Sequence, residues 1–93
     1  MEKLRRLHEV SDPHEVNQKA VQLHLNEIHP SSRKDKKYMV FDGHKMVHFG
    51  AIDYDDFTKD HDERKRARFR VRNHRWRDMP RYSAAWLSYH LLW

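Results

Sequence analysis

The residues best suited to chemistry in this sequence are a run of cations between positions 64 and 77. Eight arginine or lysine side chains occupy these fourteen positions, with no acidic residue among them and with aromatic rings at Phe69 and Trp76. Arginine forms paired hydrogen bonds with phosphate oxygens, and aromatic faces stack on nucleic-acid bases. The pattern therefore predicts a polyanion- or partner-binding site made of Arg64, Lys65, Arg66, Arg68, Arg70, Arg72, Arg75 and Arg77.

Two kinds of partner suit this cationic segment. A nucleic acid supplies phosphates that arginine neutralises, while nearby aromatic rings contact bases or sugars. An acidic protein surface supplies carboxylates instead, and the chain itself has six acidic residues between positions 53 and 63, directly before the cations. The sequence is compatible with nucleic-acid binding, with docking on a protein neighbour and with ion pairing inside the chain.

Histidine is abundant, but its spacing does not predict a metal site. Two of the nine histidines, His44 and His48, are four residues apart. Zinc-binding pairs with that spacing share one face of a helix, whereas these two residues lie in a predicted hairpin. A nuclease that uses His48, Asp55 and His61 is a further alternative, and it would need a divalent metal. We predict no enzymatic activity, no catalytic residue, no metal site and no cofactor.

The acids after position 52 superficially resemble a calcium-binding loop. Counted from Asp53, an EF-hand loop needs glycine at its sixth position and a bidentate glutamate at its twelfth. This sequence has Thr58 and Arg64 at those positions, which excludes an EF-hand.

The composition limits the remaining classes of protein. The 93 residues carry a formal net charge of +5, and 38% are hydrophobic while 35% are charged. A chain of this length forms one small domain with a thin core. The absence of cysteine excludes disulfides and thiol chemistry, and two glycines are too few for a phosphate-binding glycine loop. We expect no signal peptide and no membrane span.

The elements that position the cations are indicated most clearly around Asp42 and Gly43. Apolar runs flank this pair, and glycine supplies the positive φ that tight hairpin turns require. Alternation of Val21, Leu23 and Leu25 with polar residues predicts another strand. We therefore predict an α+β fold with a small three-stranded antiparallel meander over residues 20 to 28, 37 to 42 and 45 to 50.

The cationic segment itself is predicted as an Arg-rich helix over residues 60 to 75. Alternation of Ala67, Phe69 and Val71 with arginine also suits a strand. Good helix formers and a capping residue at Thr58 or Asp60 favour the helix. Met79 and Pro80 are expected to end this zone, and an aromatic C-terminal segment over residues 83 to 93 is expected to fold back on the hairpin.

Residues 1 to 19 are predicted to form a polar N-terminal arm, and residues 20 to 93 a single small domain. Leu4, Leu7 and Val10 have spacings that suit a short helix, and Ser11 or Asp12 is placed to cap a second one that begins at Pro13. A loosely attached arm is the interpretation that the polarity of the segment favours.

Four motifs occur together in the later part of the sequence. They are VHFG over residues 47 to 50, YDDFT over 54 to 58, the Arg/Lys-rich block after residue 62, and LLW over 91 to 93. In this combination residues 33 to 93 resemble a family of small basic proteins encoded by large double-stranded DNA viruses, to which no activity is assigned. The resemblance implies a virus-encoded, virion-associated protein, and it supplies no catalytic residues.

We therefore expect a non-enzymatic, virion-associated structural protein. It would be a minor capsid or bridging component that makes charged contacts with other virion proteins or with packaged DNA. The alternative is a DNA-binding or DNA-condensing protein that uses the Arg-rich helix. Expected partners are viral capsid or other virion proteins and double-stranded DNA. The expected location is the virion, after synthesis in the infected host cell.

Overall fold

The computed structural model of the protein describes residues 2 to 93, and it confirms the predicted α+β class. The three strands form one antiparallel sheet, in which each strand pairs with the next one along the chain. No helix within residues 2 to 93 has the length and apolar character needed to cross a membrane. The elements in chain order are α1 at Glu2–Val10, α2 at Pro13–Gln22, β1 at His29–Pro30, β2 at Lys36–Phe41, β3 at Met46–Ala51, α3 at Phe57–Asp60, α4 at Glu63–Arg72, a 3₁₀ helix at His74–Asp78, and α5 at Ala84–Leu87, which continues as a π-helix over Ser88–Leu92.

Strands β2 and β3 form the hairpin that the Asp-Gly pair predicts. Gly43 adopts a φ of +105°, in the region that favours glycine. The side chain of Asp42 accepts hydrogen bonds from the backbone amides of Lys45 and His44, at 2.8 and 2.7 Å. These bonds stabilise the carboxylate and hold the pKa of Asp42 below its usual value. Local turn chemistry therefore fixes the register of the hairpin.

The predicted strand over residues 20 to 28 is wrong. Helix α2 extends into this segment, and it ends where His24 takes a left-handed φ of 59°. The amide of Leu25 then bonds the carbonyl of Ala20 at 2.9 Å, and the amide of His24 bonds that of Val21 at 3.1 Å. These are the two bonds of a Schellman C-cap. The strand that pairs with β2 comes later and is only two residues long.

Residues 2 to 19 differ from the predicted polar arm, because their apolar side chains lie in the core. Leu7 of α1 and Val16 of α2 are both 0% exposed. As the sequence indicated, Asp12 caps α2 by accepting from two first-turn amides, and Pro13 occupies the first turn. This cap and the helical spacing of Val16 and Ala20 outweigh the short alternating pattern that follows.

The hydrophobic core is shared by the sheet, the two N-terminal helices and the C-terminal helix. Tyr38 of β2 pairs with Phe49 of β3, and their ring centroids are 5.7 Å apart. Tyr54 lies outside this core and is 71% exposed. The C-terminal segment reaches the core mainly through leucines. The buried cluster consists of Leu7, Val10, Val16, Ala20, Ile28, Tyr38, Val40, Phe49, Ile52, Leu87, Leu91 and Leu92.

A buried polar network ties the N-terminal helices to the connector between β3 and α4. The Lys37 ammonium lies 3.0 Å from the Asp56 carboxylate, and their side chains are only 2% and 0% exposed. Asp56 also accepts from the amide and the hydroxyl of Thr58. Thr58 contacts the hydroxyl of Ser11, which accepts from Tyr38 at 2.6 Å. Burial lowers the pKa of Lys37, while Asp56 opposes this change; burial raises the pKa of Tyr38.

The Arg-rich helix is present but shorter than the predicted range of residues 60 to 75. Its N-cap is Asp62, which accepts from the amides of Arg64 and Lys65, so the predicted caps Thr58 and Asp60 are wrong. The 3₁₀ helix that follows α4 ends before Met79, as the sequence indicated.

Candidate nucleic-acid interface

Helix α4 presents its side chains to the surface rather than to the core. None of its residues is buried, because its sequence has no apolar stripe wide enough to pack against the sheet. The helix is held instead by its Asp62 cap and by contacts at its edges. It therefore exposes a dense array of cations. Which of these can bind a partner depends on which ones already have acidic neighbours.

Lys65 and Arg66 are paired with acids that lie just before them in the chain. Lys65 Nζ is 2.9 Å from an oxygen of Asp60, and this hydrogen bond raises the pKa of Lys65. Burial works to raise the pKa of Asp60, but the hydrogen bond from Lys65 prevails and the pKa is lowered. Arg66 lies 2.6 Å from Glu63 and 4.1 Å from the centroid of the Phe57 ring. Both cations are thus committed to contacts within the chain.

Arg70 and Arg77 are also engaged within the chain. Arg70 donates to the backbone oxygen of Trp93 at 2.8 Å and lies 5.5 Å from the centroid of the Tyr89 ring. Arg77 makes two hydrogen bonds to Asp78, at 3.2 and 3.1 Å. These bonds raise the pKa of Arg77 and lower that of Asp78. Half of the eight predicted site residues therefore have internal partners.

The other half of the predicted site is available to a ligand. Arg64, Arg68, Arg72 and Arg75 are exposed, and their guanidinium groups form no hydrogen bond or ion pair with other residues in the part of the chain that the structure describes. The spacing of four residues places Arg64, Arg68 and Arg72 along one side of α4, and Arg75 follows in the 3₁₀ helix. They form a row of uncompensated positive charge, which we call the arginine row.

A groove runs between α4, the end of β3 and the C-terminal helix, with a volume of about 890 Å³. Arg68 and Arg72 of the arginine row line it, together with Lys36 and Lys65. Two acids, Asp53 and Asp55, also line it, and Asp55 lies 4.0 Å from Lys65. The aromatic rings that line the groove are those of Phe49, Tyr54, Phe69, Trp76 and Trp93.

Aromatic contacts attach α4 to the C-terminal segment and shape this groove. The ring of Phe69 stacks on that of Trp93, with centroids 4.6 Å apart and planes inclined by 9°. The ring of Trp76 meets Phe69 edge-on at 5.7 Å. Tyr54 makes no aromatic or cation–π contact with the residues described, and its ring is largely exposed. A planar ligand therefore has an accessible ring at Tyr54.

Glycine at position 50 lets the C-terminal helix approach the end of β3. Gly50 has a φ of +81°, and a Cβ atom there would lie 2.8 Å from a methyl carbon of Leu92 and 3.2 Å from the side chain of Lys37. A larger residue would push these elements apart. Gly50 itself lines the groove, so this close approach sets the shape of the groove floor.

The residues of the nuclease alternative have separate partners. His48 Nδ1 is 2.6 Å from the hydroxyl of Ser31, whereas His61 Nε2 is 2.7 Å from Glu15. Asp55 faces Lys65 in the groove. Within residues 2 to 93, no group of three or more histidine, aspartate or glutamate side chains is arranged to hold a metal ion.

Sequence reasoning found the cations of the site but missed much of its surroundings. The predicted site does not include Lys36 or Tyr54. Both line the groove. The pairing of Arg66 with Glu63 could have been anticipated from their i, i+3 spacing, and that of Arg77 from its acidic neighbour Asp78. The sequence offers no comparable signal for the position of Tyr54.

Comparison with known proteins gives a family match without an activity. A model described as "Family of unknown function (DUF5754)" matches residues 26–77, which include β1 to α4 and the whole arginine row. No curated protein matches the chain. No solved structure matches it either.

Proposed function

The chain belongs to this DUF5754 family of unknown function, and we propose that it is a non-enzymatic protein that binds nucleic acid through the arginine row. The observation that carries the proposal is the contrast within the cationic segment. Four of its eight cations are engaged inside the chain, while Arg64, Arg68, Arg72 and Arg75 form an exposed row without acidic partners.

The electrostatics of the row support a polyanionic ligand. Like charges at i, i+4 on a helix destabilise it by about 0.2–0.5 kcal/mol per pair, so the row slightly weakens α4 in the unbound protein. Phosphates placed along the row would remove this repulsion and release their own counterions. Arginine also matches phosphate in geometry, since its planar guanidinium can donate two parallel hydrogen bonds. A nucleic-acid backbone supplies such phosphates at regular intervals.

A structural role in a virion is the setting that we propose for this binding. In that setting the protein holds packaged DNA, or bridges DNA and a shell protein. The resemblance of residues 33 to 93 to small basic viral proteins supports this location. Quantitative proteomics of purified particles tests it: the protein should be present at a defined copy number. Its absence from particles would contradict a virion role without affecting nucleic-acid binding by the purified protein.

Docking on an acidic protein of the particle is the second candidate function. Exposed apolar side chains beside the arginines favour it, because Val71 is 75% exposed and Met79 is 45% exposed. Interfaces between proteins bury such side chains at their centres and place charges at the rim. Cross-linking within purified particles would distinguish the two candidates. Cross-links from residues 64 to 77 to a shell protein support docking, and cross-links to DNA support the first proposal.

The direct test is the salt dependence of binding to a duplex. We expect binding at about 50 mM salt that weakens steeply towards about 200 mM, because each phosphate contact contributes about 0.9 to the slope of log K against log salt. Replacing all four arginines of the row by glutamine should reduce that slope by about 3 to 4.

The matched control removes four exposed cations elsewhere. Arg5, Arg33, Lys34 and Lys45 are exposed and none lines the groove. Their replacement by glutamine lowers the net charge by the same amount as the row variant. The control variant should keep most of the slope. Equal losses in both variants would show that net charge alone attracts the nucleic acid, and absence of binding by the unmodified protein at low salt would refute the proposal.

A further inference from the structure

The groove beside the arginine row differs chemically from a surface built only to hold phosphates. Helix α4 supplies Arg68 and Arg72 to it, while the connector after β3 supplies Asp53 and the exposed ring of Tyr54. We infer that the groove binds a single-stranded nucleic-acid segment, with its phosphates along α4 and a base stacked on Tyr54. This inference rests on the proposed function and names the form of nucleic acid that the site prefers.

The distribution of charge in the groove sets the orientation of such a strand. Phosphates are attracted by Arg68 and Arg72, which have no acidic partner within the described residues. They are repelled by Asp53 and Asp55 of the connector. The sugar–phosphate chain is therefore held on the α4 side, and the bases point towards the connector. The edges of unpaired bases carry N–H donors, namely the amino groups of adenine, guanine and cytosine and the ring N–H of thymine, and the carboxylate of Asp53 can accept hydrogen bonds from them.

The exposed ring of Tyr54 then favours unpaired bases over a duplex. In a duplex each base face is covered by its neighbours, so a protein ring has no base face to contact. In a single strand the faces are accessible, and stacking of a base on an aromatic side chain is independent of sequence. Tyr54 is 71% exposed and Trp76 is half-buried in the same groove.

The size of the groove agrees with this assignment. Sites that enclose small ligands have volumes of about 300–1,000 Å³, and the volume of this groove, about 890 Å³, lies in that range. A short run of nucleotides can enter such a space, whereas a duplex can only lie across its opening. A duplex would contact the exposed arginines and leave Tyr54 unused. The two forms of nucleic acid should therefore respond differently to changes at Tyr54.

The test compares a labelled oligothymidylate with a duplex of the same length by fluorescence anisotropy. Unmodified protein should bind the single strand more tightly than the duplex. Tyr54→Ala should weaken binding of the single strand by about 5- to 100-fold, which corresponds to the loss of one stacked base. It should leave duplex binding unchanged. Tyr54→Phe keeps the ring and should restore binding of the single strand, and circular dichroism should show that both variants are folded.

The outcomes separate this inference from the proposed function. If single strand and duplex bind equally and Tyr54→Ala affects neither, the groove is not a single-strand site, while binding through the arginine row stands. If polyglutamate at the same charge concentration displaces the single strand as well as a second oligothymidylate does, the groove recognises only negative charge and the inference fails. If neither nucleic acid binds, both proposals fall.

Discussion

The buried pair of Lys37 and Asp56 offers the sharpest test of how this small protein is held together. The ammonium and the carboxylate are 3.0 Å apart and almost fully buried. Asp56 keeps two further hydrogen bonds, from the amide and the hydroxyl of Thr58, whereas Asp56 is the only hydrogen-bond partner that the described residues offer to the ammonium group of Lys37. The two members of the pair therefore differ in what remains when the other is removed.

Removal of either charged group should lower the free energy of unfolding, and removal of the Asp56 carboxylate should lower it more. Breaking a buried pair costs about 3–5 kcal/mol, because one charge stays buried without its partner. A domain of this length has a total unfolding free energy of about 5–14 kcal/mol. Asp56→Asn preserves the cap of α3 but leaves the Lys37 ammonium unpaired. We therefore expect a loss of unfolding free energy near the upper end of the range for a broken buried pair. Lys37→Met should lose less, since Thr58 still stabilises the Asp56 carboxylate.

Urea unfolding followed by tryptophan fluorescence measures these costs. With a slope of about 1–1.5 kcal/mol per molar urea, Asp56→Asn should lower the midpoint by about 2 M or more. The double variant Lys37→Met with Asp56→Asn should lose at least about 2 kcal/mol less than the sum of the two single variants. Losses that add within about 0.5 kcal/mol would refute a direct interaction between the two side chains.

The pH dependence of stability supplies an independent check on Lys37. Burial places the pKa of Lys37 in the folded protein below its ordinary value of 10.5. Between these two pKa values the unfolded chain binds more protons than the folded protein, so this group makes stability rise with pH in that window. Without Asp56, which opposes the shift, the window should widen. The loss of unfolding free energy caused by Asp56→Asn should therefore be smaller at alkaline pH than at neutral pH. A loss that does not change with pH would contradict this account.

Two further predictions concern the core. Burial raises the pKa of Tyr38 above its ordinary value of 10, so the contribution of Tyr38 to stability is present below pH 10 and is lost as pH rises further. Tyr38→Phe should lower the free energy of unfolding by about 1 kcal/mol at pH 8. Between pH 8 and 11, the urea midpoint of this variant should fall less than that of the unmodified protein. Leu7→Ala should cost about 2–5 kcal/mol in urea unfolding because it opens a cavity, whereas the control Leu4→Ala, at a side chain that is 43% exposed, should cost well under that amount. Equal, small effects at Leu7 and Leu4 would support the loosely attached arm.

The parts of the fold that could be predicted from the sequence are those set by local chemistry. Asp42 and Gly43 specify a turn through bonds that close within four residues, and Asp12 with Pro13 specifies a helix start in the same way. The prediction of a strand over residues 20 to 28 is wrong because the alternation of apolar and polar residues is short and α2 continues into this segment. That helix ends at a C-cap in which His24 takes a left-handed φ, and histidine is not a residue that usually signals such a cap.

For the candidate site, too, the sequence predicts the charged residues but not their partners in the folded protein. A sequence shows that residues 64 to 77 are cationic, but it does not show which cations are neutralised in the folded chain. The partner of Arg70 is Trp93, 23 residues later in the chain, and no local pattern predicts that contact. The exposed position of Tyr54 could not be predicted either, because an aromatic residue in a small protein is more often buried than exposed. The groove arises from tertiary contacts that bring α4, β3 and the C-terminal helix together.

The way in which α4 is attached links its stability to ligand binding. It contributes no buried residue, and its contacts with the rest of the protein are made by side chains at its surface, such as Arg66 on Phe57, Phe69 on Trp93, and Arg70 on the Trp93 backbone. An element with few buried contacts opens at a lower free energy than the core. A ligand that binds only the formed arginine row stabilises that element in proportion to the logarithm of its concentration over its Kd. The charge repulsion along α4 and the nucleic-acid binding that we propose are therefore two consequences of one arrangement: four arginines left without partners on α4 and the 3₁₀ helix, neither of which has a buried residue.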